Sequence, residues 1–112
     1  GFAWLSGEDG SAVAYNAQGG NGVISVTANV AATRSRDVQA ACRSGDFAAA
    51  LCLQRELMPL HEALFAEPSP AGVKYACSLL GLCEPACRLP MVPLESGTRK
   101  AIEGAMKRAG VL

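Results

Sequence analysis

Two short apolar runs near the start of the chain, separated by one helical stretch, constrain the fold more than any other feature. Residues 2–6 and 22–27 favour strands, and the second run, Gly-Val-Ile-Ser-Val-Thr, is rich in β-branched residues. Residues 11–18 between them have weak helical character and are followed by the stop signal Gly19-Gly20. A strand, a helix and a strand joined by a connection of this length predict a βαβ unit with parallel strands.

An isolated pair of parallel strands is not a stable fold, because both of its edges are unpaired. Val23, Ile24 and Val26 lack a clean alternation, which is typical of strands buried on both faces. The chain is therefore predicted to form the end of a larger α/β sheet or barrel, followed by a helical extension.

The sequence after Asn29 is helical throughout. One helix is expected at residues 34–43, and Asp46 is suited to cap a longer one in which Pro59 should cause a kink or break near Met58. Two further helices are expected at residues 71–80, ended by Gly81, and from Ser96 to Gly110. Residues 68–70 form a rigid turn and residues 89–94, with two prolines, should be extended.

Charge and cysteine usage exclude several classes of function. The ten basic and ten acidic residues balance, which argues against nucleic acid or an anionic membrane as a partner. No apolar run approaches the roughly 18 residues of a membrane span. Five irregularly spaced cysteines and a single histidine indicate neither a disulfide framework nor a metal site, so reduced cytosolic thiols are expected. The start at Gly1 lacks a basic signal region and suggests a segment of a longer chain.

Two polar clusters follow the two predicted strands, at residues 6–9 and 27–29. In an α/β barrel the active site lies at this end of the strands. Gly7 would let the backbone approach a ligand, and Glu8 and Asp9 are suited to act as acid, base or ligand anchor. The alternative is a turn whose helix is capped by Asp9 or Ser11. His61 is interpreted as a packed or surface side chain, and Lys74 as a solvated or ion-paired one.

Several stretches resemble the dihydrodipicolinate synthase family of pyruvate-dependent aldolases, and the resemblance covers essentially the whole chain. They are Leu-Ser-Gly-Glu-Asp at 5–9, Gly-Val-Ile-Ser-Val-Thr-Ala-Asn-Val at 22–30, Leu-Met-Pro-Leu-His at 57–61, Glu-Pro-Ser-Pro at 67–70 and Arg-Leu-Pro-Met-Val-Pro-Leu at 88–94. The resemblance implies a (β/α)8 barrel with a C-terminal helical domain. Residues 1–45 would be its last two βα units, and residues 46–112 the helical domain.

The resemblance also implies an activity. In this family a lysine amine forms a Schiff base with pyruvate, and the enamine attacks aspartate semialdehyde to give 4-hydroxy-tetrahydrodipicolinate on the route to diaminopimelate and lysine. A cytoplasmic homotetramer without a cofactor is expected. The lysine and the proton-relay tyrosines belong to earlier strands, so this chain is expected to need the rest of the barrel and to be inactive alone.

The family's pocket residues are carried over one by one. Gly7 matches a glycine that lines the substrate pocket, and Ile24 matches an isoleucine whose backbone carbonyl faces the reacting centre. Glu8 and Asp9 fall where two aspartates are usual, so Glu8 departs by one methylene. Ser69 falls where the family usually has asparagine, near the semialdehyde side of the pocket.

Two other hypotheses remain open at this point. The parent could be another pyruvate-dependent aldolase similar to N-acetylneuraminate lyase, although the Ser-Val-Thr-Ala-Asn run at residues 25–29 disfavours this. Alternatively, the chain could be a helical assembly module without chemistry. An upstream sequence encoding a barrel with a lysine on its sixth strand would exclude the assembly module.

Overall fold

The computed structural model describes all residues from Gly1 to Leu112 and divides into two compact units. The first unit comprises Gly1–Met58 and the second Pro59–Leu112. None of the helices combines the length and the hydropathy that crossing a membrane requires.

The first unit begins with the predicted βαβ arrangement. Strand β1 (Leu5–Ser6), helix α1 (Ala12–Ala17) and strand β2 (Gly22–Val23) follow one another, and the two strands pair in parallel with Leu5 opposite Gly22. The pairing extends by one hydrogen bond at each end, from Asn21 N to Trp4 O at 2.8 Å and from Ile24 N to Ser6 O at 2.9 Å. The parallel βαβ prediction is confirmed, although both strands are shorter than expected.

The strand pair is open to solvent on much of its surface. The side chains of Phe2, Trp4 and Ile24 are 90%, 65% and 70% exposed. Val23 and Val26 are only half-buried, so the predicted burial on both faces is wrong for this chain taken alone. The reason is that the sheet has only two strands, so the side chains of Phe2, Trp4 and Ile24 have no further strand to pack against.

Two longer helices complete the first unit. Helix α2 (Ala32–Arg43) starts two residues earlier than predicted and ends at the expected Ser44-Gly45, where Gly45 has a φ of 78°. Helix α3 (Phe47–Leu64) is capped by Asp46, whose Oδ1 accepts the Ala49 N–H at 2.9 Å, as predicted. An ion pair between Arg34 and Glu56 joins the two helices.

Of the kink or break predicted near Met58, the break does not occur, because α3 continues to Leu64. Proline lacks an N–H and deprives the carbonyl four residues earlier of its helical partner. Burial offsets that loss on both sides of the proline, since Leu57, Leu60 and Leu64 are at most 1% exposed. The division between the two units nevertheless falls between Met58 and Pro59.

The second unit contains the end of α3, helix α4 (Ala71–Leu79) and helix α5 (Ser96–Arg108). Gly81 and Gly110 have φ values of 71° and 69° and follow the last turns of α4 and α5, as predicted. The chain between the two helices has no regular secondary structure. The core of this unit includes the predicted apolar face of α5: Ile102, Ala105, Met106 and Ala109, all buried.

Candidate functional site

The polar segments that follow the two strands meet around the carboxylate of Asp9. Its Oδ2 accepts the backbone N–H groups of Val26 at 3.0 Å and Thr27 at 3.2 Å. Its Oδ1 accepts the hydroxyl of Ser25. The two polar clusters of the sequence therefore form a single site, as expected for the same ends of adjacent parallel strands.

The carboxylate of Asp9 binds groups of the chain itself. The residue is 7% exposed, and these three hydrogen bonds meet the requirement that a buried carboxylate be solvated by donors. Ser25 continues the arrangement, because its Oγ accepts the Ala28 N–H at 2.8 Å. Together they cap the start of a short 3-10 helix at Thr27–Asn29, which ends the second predicted strand early.

Glu8 stabilises the turn that leads into α1. Its two carboxylate oxygens accept the N–H groups of Gly10 and Ser11, each at 2.6 Å. Ser11 makes no side-chain capping bond. The alternative interpretation of this cluster as a turn is thus correct, and Ser11 is the N-cap residue as that interpretation allowed, but the side chain that holds the turn is that of Glu8. The extra methylene of glutamate lets the carboxylate fold back over the two amides that follow it.

Gly7 is exposed, and neither its backbone nor its surroundings require a glycine. No heavy atom lies within 4 Å of the position that a Cβ would occupy. Its φ is not positive, so a side chain would not be strained. Any demand for glycine at this position must therefore come from something outside the chain, such as a ligand.

Ile24 and Ser69 lie in different units. The Ile24 N–H donates to Ser6 O, which fixes the Ile24 backbone beside the segment that carries Gly7. Ser69 is exposed in the turn that precedes α4 in the second unit. The first unit thus brings together four of the five predicted pocket residues: Gly7, Glu8, Asp9 and Ile24.

Sequence reasoning missed Gln54, which holds the loop after β1 in place. Its Oε1 accepts the Val13 N–H at 3.0 Å and its Nε2 donates to Gly10 O at 2.5 Å. A signal was present, because Gln54 falls four residues after Ala50 and three before Leu57, both buried on α3. A polar residue on a buried helix face needs hydrogen-bond partners.

The site contains acids, a hydroxyl and backbone groups, but the first unit has no lysine. The three lysines, Lys74, Lys100 and Lys107, lie on α4 and α5 of the second unit. The Lys74 ammonium donates to Ala86 O, and His61 is buried at 6% exposure, in agreement with its interpretation as a packed side chain. The first unit can shape and polarise a pocket but offers no amine side chain as a nucleophile.

The second unit has its own cleft of about 290 Å³ between α4, the start of α5 and the segment connecting them. Tyr75, at its wall, donates its hydroxyl to Glu103 at 2.6 Å, and the Arg99 guanidinium lies 5.6 Å from the ring centre. The hydrogen bond to Glu103 raises the pKa of Tyr75, with a further contribution from burial, while Arg99 opposes the shift. All five cysteines are free.

Comparison with known proteins matches almost the entire chain. A sequence profile described as the Dihydrodipicolinate synthetase family matches residues 1–109. The chain is 53% identical over 111 residues to the 4-hydroxy-tetrahydrodipicolinate synthase of Brucella suis and 54% identical to that of Rhizobium meliloti. These alignments cover 99% of this chain, which spans 38% of the length of either relative.

Solved structures agree. The dihydrodipicolinate synthase of Thermotoga maritima gives a TM-score of 0.96 at 37% identity, covering 99% of this chain and 38% of that one. The chloride-inhibited enzyme of Acinetobacter baumannii, solved in complex with pyruvate, gives 0.93 at 36% identity with the same coverage.

Proposed function

Because the chain belongs to the dihydrodipicolinate synthetase family, we propose that it supplies part of the active site of a 4-hydroxy-tetrahydrodipicolinate synthase. That enzyme, a lyase, would condense pyruvate with aspartate semialdehyde. One observation carries the proposal: the Ile24 N–H donates to Ser6 O, so that Ile24 and the unobstructed Gly7 lie side by side at the ends of adjacent parallel strands.

In this proposal Gly7 and Ile24 form the pyruvate side of the pocket. Gly7 leaves space for the carboxylate of the keto acid, since no atom of the chain fills the position of a Cβ there. Ile24 acts through its backbone carbonyl, which faces the reacting centre. Ser69 is proposed to contact the aldehyde substrate. The pyruvate complex of the Acinetobacter baumannii relative supports pyruvate as the first substrate.

The proposed chemistry is that of a class I aldolase. A lysine amine condenses with the ketone of pyruvate and releases water, the resulting imine loses a methyl proton, and the enamine carbon attacks the aldehyde carbon. The first unit has no lysine and the three lysines of the second unit lie on helices, so the proposal assigns this amine to a part of the protein outside these 112 residues. We place residues 1–45 in the last two βα units of a (β/α)8 barrel and residues 46–112 in its helical domain. The assembled protein would be a cytoplasmic homotetramer that needs no cofactor.

A chimera tests this function. The aligned 111 residues of the Brucella suis relative are replaced by this chain, and condensation of pyruvate with aspartate semialdehyde is measured. A displacement of about 1 Å can cost about 100-fold in rate, so we expect clear turnover below the relative's own rate.

The control for the chimera is borohydride trapping of the pyruvate Schiff base. A folded chimera that traps pyruvate but does not condense it with aspartate semialdehyde would overturn the assignment of the second substrate and favour another aldehyde. A folded chimera that does neither would overturn the proposed function.

A further inference from the structure

We propose that Asp9 is a positioning residue: its buried carboxylate sets the backbone of residues 25–27 and thereby the place of the Ile24 carbonyl. This inference rests on the proposed function, in which that carbonyl faces the reacting centre. It differs from the role that the resemblance suggests, in which Asp9 would belong to the substrate-binding set.

The carboxylate holds three consecutive residues directly after Ile24. Ser25 contributes its hydroxyl, and Val26 and Thr27 contribute their N–H groups at 3.0 and 3.2 Å. On its other side, Ile24 is fixed by the bond from its own N–H to Ser6 O at 2.9 Å. The Ile24 backbone is therefore held from both directions, by β1 and by Asp9.

The two amides that Asp9 binds, those of Val26 and Thr27, lie at the start of the 3-10 helix. The N-terminal N–H groups of a helix require acceptors from outside it, and a buried one left unpaired costs stability. Thr27 is fully buried, so water cannot replace the carboxylate there. Without the carboxylate, residues 25–27 would lose these hydrogen bonds and their backbone would shift.

The backbone of Asp9 is itself held in place. Its carbonyl accepts the Ala12 N–H at 3.3 Å, and Gln54 of α3 binds the neighbouring Gly10 O and Val13 N. Gln54 on α3 thus fixes the loop after β1, and Asp9 in that loop fixes the loop after β2. A residue in this position can orient the Ile24 backbone without contacting the substrate.

The pattern of donors indicates which substitution would preserve this role. Both amides bind the same oxygen, Oδ2, while only the Ser25 hydroxyl binds Oδ1. An asparagine could keep its oxygen on the two amides and donate its NH₂ group to Ser25 Oγ, which has lone pairs to accept it. Positioning should therefore survive Asp9→Asn, whereas a role for the negative charge should not.

The test compares three variants in the active chimera: Asp9→Asn, Asp9→Ala and Asp46→Ala. We expect Asp9→Ala to lower kcat by roughly 10- to 100-fold with a smaller change in KM for pyruvate, because the reacting geometry is displaced. Asp9→Asn should restore most of the turnover with an unaltered pH profile. Asp46→Ala also removes a carboxylate that accepts a backbone N–H, at the start of α3, and should lower the melting temperature without changing kcat.

Amide exchange at Val26 and Thr27 provides the readout that does not depend on activity. Protection should fall in Asp9→Ala and persist in Asp9→Asn. Equal loss of kcat in the two Asp9 variants, or full activity of Asp9→Ala, would overturn the positioning role. If the unaltered chimera has no activity, the proposed function fails instead. Unchanged amide exchange at Val26 and Thr27 in Asp9→Ala would then separately overturn the positioning role of Asp9.

Discussion

At the scale of single residues, Glu8 and Gly10 depend on each other. A Cβ on Gly10 would lie 2.8 Å from Glu8 Oε1 and 3.3 Å from Met58 Cε. The folded-back carboxylate of Glu8 occupies the space that the glycine leaves free. The glutamate and the glycine two residues later together stabilise the turn that leads into α1.

We expect Gly10→Ala to push the Glu8 carboxylate off the Gly10 and Ser11 amides and to cost about 1 kcal/mol, a typical net contribution of a hydrogen bond. Urea unfolding of the chain measures this. In a Glu8→Ala background the same substitution should cost less, because these hydrogen bonds are already absent. Equal costs in both backgrounds would show that the two residues are not coupled.

Gly7 gives the sharpest prediction for the pocket. Because a Cβ there meets no atom of the chain, Gly7→Val in the chimera should abolish most turnover while leaving the melting temperature nearly unchanged. Steady-state kinetics and a thermal melt on the same preparation measure both effects. Gly97→Val is the matched control, since Gly97 is also exposed with open space around its Cβ position and lies on α5.

Ile24→Val tests the other half of the pocket assignment. The substitution keeps the backbone carbonyl and removes one methylene, which should cost at most about 1.5 kcal/mol and little catalysis. Near-normal turnover of Gly7→Val, or loss of turnover in folded Ile24→Val, would contradict the proposed roles of the two residues.

Tyr75 should titrate above its usual pKa of 10.0, because its hydroxyl donates to Glu103 and ionisation breaks that bond. Any stability that this bond contributes is present below pH 10.0 and is lost as the pH rises through the folded-state pKa. An ultraviolet titration in a Tyr15→Phe background follows it. Glu103→Gln should lower the Tyr75 pKa and Arg99→Gln should raise it; a shift in the opposite direction for either variant would refute this account.

At the scale of elements, periodicity and punctuation predicted most of what forms. The βαβ unit, the Asp46 cap and the glycine-terminated helices α2, α4 and α5 all occur at or near the predicted bounds. The continuous α3 could not be predicted, because buried leucines on both sides of Pro59 outweigh a local signal to break. The short β2 could not be predicted either, because Asp9, far away in sequence, binds the amides that would continue the strand.

The candidate site was likewise predictable in its location but not in its detailed contacts. The rule that parallel strands end at one edge correctly brought residues 6–9 and the segment after β2 together. That rule could not predict which groups the carboxylate oxygens of Glu8 and Asp9 would bind. Those partners depend on loop backbone geometry that no spacing in the sequence reveals. The sequence therefore did not predict that Glu8 holds the turn before α1, or that Ser25 and Gln54 bind the loops after the strands.

The approach of α4 to the end of α3 depends on Gly72. A Cβ at this position would lie 2.3 Å from the carbonyl oxygen of Leu64, a backbone atom that cannot turn aside. We expect Gly72→Ala to destabilise the chain by roughly 1–3 kcal/mol through overpacking. Gly97→Ala, on exposed α5 surface with no neighbour within 4 Å, should instead stabilise it by up to about 1 kcal/mol. Thermal melts of both variants measure the contrast, and a neutral Gly72→Ala would rule out this close approach.

At the scale of the whole molecule, the distribution of lysines sets the limits of the chain's chemistry. The first unit, with its paired loops, has no lysine, and the three lysines of the second unit lie on helices. We expect the chain alone to form no borohydride-trapped pyruvate adduct at its lysines and no condensation product. Intact-mass measurement after reduction is the assay, with the active chimera as positive control. A mass increase that maps to Lys74, Lys100 or Lys107 would contradict this.

The strand pair carries its own optical probe. Trp4 is the sole tryptophan, lies directly before β1, is 65% exposed and stands 6.3 Å from the ring of Phe2. Its fluorescence in the isolated chain should therefore be red-shifted and readily quenched by iodide. Any protein surface that covers β1 would shift the emission to the blue and shield it from the quencher. Docking of a complementary barrel segment could thus be followed in real time without attaching a dye.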